Sequence, residues 1–175
     1  DVNIVNRGNS GAVSDETLAN LEPILQGKPK KLFLMIGTND LGTTGMNTPE
    51  YVMCNIRSIV RRIQKESART QIYLQSILPS NVGLRTTEVQ SITNDSIRKF
   101  CEEEGLTYID LWDDLMDITT GTSMSLDNLH LKASGYKIWC DKIAALVLDD
   151  ENAKSVYTNA ADQTGGLSGV SGMRN

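Results

Sequence analysis

The 175 residues contain a single histidine, His130, so any imidazole acting as a general base must be that residue. Asp127 lies three positions earlier, a spacing at which one turn brings a carboxylate to a ring nitrogen and fixes the tautomer. Such a pair can activate a hydroxyl. Two other stretches carry groups suited to the negative charge that a hydroxyl attack creates. Asn6-Arg7-Gly8-Asn9-Ser10-Gly11 has two glycines, which permit positive φ and leave backbone N–H groups exposed. Gly37-Thr38-Asn39-Asp40 sets a side-chain amide and a carboxylate directly after an apolar run. Each feature alone has an ordinary explanation: a surface ion pair, a turn, an Asn bonding its own loop. Their co-occurrence, each at the carboxyl end of an expected strand, points to chemistry.

The elements that must position them alternate short apolar runs with longer segments of helical period, the signature of a parallel sheet covered on both faces. Val2 to Val5, Leu32 to Ile36, Ile72 to Ile77 and Tyr108 to Leu111 read as strands. Leu32 to Ile36 is apolar at every position, which predicts a central strand. Leu18, Leu21 and Leu25 mark a short helix that Pro23 should kink or end near Glu22. Val52, Ile56, Ile59 and Ile63 mark a second, opened by Thr48, Pro49 and Glu50. Val89, Ile92, Ile97 and Phe100 give a third, starting near Thr86 or Thr87 and stopping at Gly105. Ile138, Ile143 and Val147 give a fourth, expected to end before Asp149-Asp150-Glu151, acids unfavourable at the negative end of a helix. The reading is an α/β protein, a three-layer α/β/α sandwich of flavodoxin-like type over residues 1–150. Residues 151–175, rich in Ala, Ser, Asn and Gly, read as a linker or tail in which Val156 and Tyr157 form at most one short strand. In such a sheet ligands bind beyond the carboxyl ends of the strands, where all three chemical stretches fall.

Composition narrows the partners. Net charge is −5, and Lys and Arg occur singly or in short pairs, so no basic stripe is present to release phosphate counterions and nucleic acid is not expected. The longest apolar run, Ile143 to Leu148, is far short of the roughly 20 residues that cross a bilayer, so no membrane span is expected. Cys54, Cys101 and Cys140 cannot all pair within one chain and sit in no CxxC or Cys/His cluster, which disfavours a disulfide scaffold and a structural zinc site. Each falls in an expected helix, where a free Cys usually acts as a small buried hydrophobe.

Taken together, the three stretches resemble the SGNH hydrolases, the GDSL family of esterases and lipases. Asn6 to Gly11 is similar to the family's second block, Ile36-Gly37-Thr38-Asn39-Asp40 to its third, and Asp127-Asn128-Leu129-His130-Leu131 followed by Gly135-Tyr136 to its fifth. Gln75-Ser76-Ile77-Leu78-Pro79 also looks like this family, so the resemblance covers residues 2–148. It implies an oxyanion hole from the Gly11 N–H and the Asn39 side-chain N–H, Asp127 orienting His130, no metal or organic cofactor, and small acyl esters, such as acetyl on carbohydrate, as substrates. Gly8 is a second candidate for the glycine role, Ala12 stands where the family commonly has an acid, and Asp40 is expected to tie down its own loop.

The family's first block, Gly-Asp-Ser, occurs nowhere in the 175 residues, so this chain holds no nucleophile for the implied triad. Ser10, Ser168 and Ser171 lack the required context. Three explanations stand: an upstream segment or second chain supplies the serine and a strand that completes the sheet; the order is permuted, the block lying beyond Asn175; or the protein is a non-catalytic module that binds carbohydrate or another ligand. Relatives acting on polysaccharides make a periplasmic or secreted location compatible with the resemblance.

Overall fold

A computed structural model describes residues 2–120 and 127–148, the last four of the first stretch by backbone only. The elements are α1 (Ser14–Ala19), α2 (Glu22–Gly27), β1 (Lys31–Leu34), α3 (Thr38–Leu41), α4 (Pro49–Glu66), β2 (Gln71–Gln75), α5 (Thr87–Glu104), β3 (Thr107–Ile109), a 3-10 helix over Asp113–Thr120, and α6 (Ala133–Val147). The three strands form one parallel sheet in the order β1-β2-β3. Leu32 pairs with Ile72, and Leu74 with Tyr108.

Alternation along the strands divides the core between two faces. Leu32, Leu34, Ile72 and Leu74 pack with Val52, Ile56, Ile59, Ile63, Ile97 and Phe100 of α4 and α5. On the other face Phe33 and Tyr73 stack with ring centroids 4.6 Å apart, in a cluster with Leu111, Leu115 and the α6 residues Ile138, Trp139 and Ile143. The result is three layers, helix on sheet on helix.

The helix boundaries follow local chemistry. Thr48 caps α4, its side-chain oxygen accepting the Tyr51 N–H at 3.2 Å, and Pro49 takes the first helical position, where no N–H is needed. Thr86 caps α5 in the same way through the Val89 N–H, and Gly105 closes it at φ +65°. The expected first helix is divided: α1 ends at Ala19, and Pro23 sits in the first turn of a separate α2. Helix α6 ends at Val147, ahead of the acidic run.

Four expectations are corrected. Val2 to Val5 is not a strand; Val2, Ile4 and Val5 are exposed. A strand exists only by pairing, and among the described residues none lies beside this segment, β1 being bonded to β2 alone. For the same reason β1 is not central but an edge of the described sheet, half-buried throughout, and β2 holds the middle. Strand bounds also shift by one or two residues, because the ladder ends where the partner turns away: Ile36, Ser76, Ile77 and Leu111 lie beyond it. Finally, only Cys101 is buried; Cys54 and Cys140 lie on exposed faces of α4 and α6. The tail with Val156, Tyr157, Ser168 and Ser171 lies outside the described residues.

The turn from β1 into α3 depends on Gly37. Its φ is +117°, and a Cβ there would approach the Ile77 Cδ1 to 2.8 Å and the Val52 Cγ1 to 2.9 Å. Gly37→Ala therefore combines left-handed strain with overpacking and should lose about 2–4 kcal/mol in urea unfolding. Gly105→Ala, with open space around its Cβ, should lose only about 1 kcal/mol. Equal losses at the two positions would contradict the steric argument.

Candidate functional site

Three loops meet at the carboxyl-terminal end of the sheet. The first contains Gly11, whose φ of +76° suits glycine and whose N–H is bonded to no described residue. The second is the turn into α3, which places Asn39 on its first turn. The third is Asp127 to His130, leading into α6. Ser10, Gly11, Thr38, Asn39, Leu129 and His130 line one open cleft of about 230 Å³. Gly8 is not among them, and its N–H is already donated to the Asn6 Oδ1 at 2.8 Å, which removes it as a donor for a ligand.

Local hydrogen bonds build the histidine side. Asp127 Oδ1 accepts the backbone N–H groups of Leu129 at 3.1 Å and His130 at 2.8 Å, and Asn128 turns through φ +64°, a conformation Asn tolerates well. The other carboxylate oxygen lies 2.7 Å from His130 Nδ1. The His130 N–H, the imidazole contact and the Leu129 N–H hold the Asp127 carboxyl down to about 2, well below its ordinary 3.8. An ionised carboxylate can only accept, so Nδ1 carries the ring proton and a neutral ring keeps its lone pair at Nε2. The ring is 68% exposed.

Contacts distant in sequence hold the other side. The Asn39 Nδ2 donates to the Ala12 carbonyl oxygen at 2.9 Å, tying the amide to the residue that follows Gly11 and leaving one amide hydrogen uncommitted. Asp40 is fully buried and accepts the Ser14 N–H with both oxygens, at 3.0 and 3.1 Å, together with a short bond from the Ser14 hydroxyl. Asn55 on α4 donates to that hydroxyl at 2.8 Å. Asp40 therefore secures α1 and the Gly11 loop rather than its own loop, a correction with a plain cause: the first turn of α3 aims its carboxylate inward, at the start of α1.

Sequence reading missed Ser14, Asn55 and Arg85 as parts of this assembly. The Arg85 side chain donates to Thr38 O, Val82 O and Asn39 Oδ1. These partners lie 3 to 47 residues away, so no spacing rule reveals the long-range ones. Among the described residues no cluster of three His, Cys, Asp or Glu is placed to hold a metal ion.

A loop N–H, an amide and a carboxylate-bound imidazole thus share one cleft at the carboxyl ends of a parallel sheet. The model of the GDSL-like lipase/acylhydrolase family matches residues 1–138. The chain belongs to that family. A solved structure of a candidate platelet activating factor from Streptococcus pneumonia is 28% identical, with a TM-score of 0.74 over 83% of this chain and 72% of that one. A GDSL-like lipase from Bacteroides thetaiotaomicron, 21% identical, superposes with a TM-score of 0.70 over 82% of this chain and 74% of that one. An acetylxylan esterase from Geobacillus stearothermophilus, in a catalytic mutant, is 16% identical with a TM-score of 0.68 over 82% and 71%. The last two likenesses are of fold alone. No curated protein matches by sequence. Among the described residues of this GDSL-family chain, no helix is long and apolar enough to cross a membrane.

The bonds to Asp127 set a pH dependence. Its folded pKa is depressed, so the contribution of these bonds is complete above the ordinary value of 3.8 and is lost as pH falls through about 2. The Asp127 carboxyl carbon, followed by NMR, should titrate with a midpoint near 2. His130→Ala removes the ring but keeps the backbone N–H, the larger cause, so the midpoint should rise only part of the way to 3.8. A full return to 3.8 would show that the ring, not the backbone, dominates.

Proposed function

We propose that this chain forms the bulk of an SGNH-type serine esterase that hydrolyses carboxylic esters of small acyl groups, such as acetyl on a carbohydrate. The observation that carries the reading is the cleft shared by His130, Asn39 and Gly11, with His130 held by Asp127. In this reading a serine hydroxyl from outside these 175 residues attacks the ester carbonyl while His130 Nε2 takes its proton. The tetrahedral oxyanion is met by the Gly11 N–H and the free Asn39 amide hydrogen. Collapse breaks the ester C–O bond, His130 returns the proton to the leaving alcohol, and water repeats the sequence on the acyl-enzyme. Neither a metal nor an organic cofactor enters any step.

The sheet supports an outside source for the serine. Val2, Ile4 and Val5 are exposed, and among the described residues β1 is bonded on one side only, as fits a further strand from an upstream segment or a second chain. A second reading, a non-catalytic module binding carbohydrate or another ligand, is favoured by one observation: no Gly-Asp-Ser occurs in the sequence.

Hydrolysis of an aryl acetate by the whole natural polypeptide separates the two. Asn39→Ala should lower kcat by about 10²–10³-fold, the usual cost of one oxyanion donor. His130→Ala should lower it by more than about 10³-fold. Rates equal to the unsubstituted protein in both variants would leave only the binding module.

A further inference from the structure

We propose that Arg85 is a positioning residue that fixes which end of the Asn39 amide faces the cleft, an inference resting on the oxyanion role proposed for Asn39. A primary amide is nearly symmetric in shape, and a half-turn about its last bond exchanges NH2 for oxygen. Facing the cleft, the NH2 group would stabilise an oxyanion, whereas the oxygen would repel it. The orientation therefore needs a selector, and the structure supplies one on each side.

On one side is the Ala12 carbonyl, which can only accept and which takes the Asn39 Nδ2 at 2.9 Å. On the other is a guanidinium, which can only donate, with Arg85 Nη2 3.4 Å from Asn39 Oδ1. An inverted amide would set oxygen against oxygen at Ala12 and NH2 against the cation at Arg85. Arg85 has little freedom to adapt to the inverted form. Its Nε donates to Thr38 O at 2.8 Å and its Nη1 to Val82 O at 3.1 Å, so three donors of a rigid fork are fixed at once.

The surroundings preserve that fork. A Cβ on Gly42 would fall within the guanidinium, so the residue after α3 leaves the room that Arg85 fills. The loop carrying Arg85 is pinned to α5 by two buried amides. Asn94 exchanges hydrogen bonds with the Ile77 N–H at 2.7 Å and the Ile77 carbonyl at 3.0 Å, and Gln90 does the same with Ser80 at 3.0 and 2.6 Å. Arg85 is half-buried and does not line the cleft, so it acts through Asn39 and not on a ligand directly. Burial also draws its pKa below the ordinary arginine value.

The test uses the whole natural polypeptide labelled with 15N, with the Asn39 side-chain NH2 resonances assigned by their loss in Asn39→Ala. Arg85→Ala should move both resonances toward the position of a freely rotating exposed amide and speed their hydrogen exchange by about tenfold or more. Gly42→Ala should displace the guanidinium and give the same change. Arg85→Lys, a point charge without the fork, should give a smaller one and covers the case in which Arg85→Ala fails to fold. In the whole polypeptide, Arg85→Ala should lower kcat for aryl acetate by about 10–100-fold with KM little changed, and Arg85→Lys should recover part of the loss. Asn39 resonances unchanged in folded Arg85→Ala or Arg85→Lys would overturn the proposal. The spectroscopic result stands whether or not the unsubstituted polypeptide hydrolyses esters, so failure of the esterase reading and failure of the Arg85 assignment are read separately.

Discussion

The cleft exists because a fully buried carboxylate must be satisfied. Asp40 sits in the first turn of a four-residue helix, with no exposure to water, and an isolated charge there would cost several kcal/mol. Its partners are the Ser14 N–H and hydroxyl at the start of α1, with Asn55 of α4 bonded behind them. That requirement joins segments 26 residues apart in sequence. Gly11 lies three residues before Ser14, and Asn39 immediately precedes Asp40, so satisfying the carboxylate sets the two donor loops in register. The Asn39 bond to Ala12 O then closes a second link across the same junction. Together the two links make the donor side a single assembly.

The two sides of the cleft are held in different ways. Bonds spanning 26 to 47 residues fix the donor side, several of them buried, so it can loosen only if α1, α3 and the loop after β2 part company. On the histidine side the described bonds are local: Asp127 bonds two backbone N–H groups and a ring within three residues, and both side chains are largely exposed. Exposed bonds of that kind open at low free energy, whereas a buried network opens only with the surrounding fold. The cleft therefore joins a donor wall tied by long-range bonds to a base whose described bonds lie within one short turn.

This contrast also explains how much was legible in the sequence. The Asp127–His130 contact, the Thr48 and Thr86 caps and the break before Pro23 rest on neighbours in the chain, so spacing and residue type disclose them. The all-apolar run at Leu32 signals a strand with an apolar cluster on each face. It does not signal that, among the described residues, one of its edges has no partner, because pairing is a property of the sheet and not of the run. The same limit applies to Val2 to Val5, whose apolar character does not make a strand without a neighbour. Cys54 and Cys140 lie within helices, but helical period alone did not separate their exposed faces from the apolar stripe. Ser14, Asn55 and Arg85 were invisible for a further reason: their roles lie in contacts that only the folded chain creates.

Oxyanion donors and an imidazole base stabilise charge strongly only where water is excluded, because water both competes for the donors and screens the field. His130 is 68% exposed on the rim of an open cleft, and among the described lining residues Leu129 supplies the one large apolar wall. On the esterase reading, the imidazole has to be covered before charge develops, by bound substrate or by polypeptide outside the described residues.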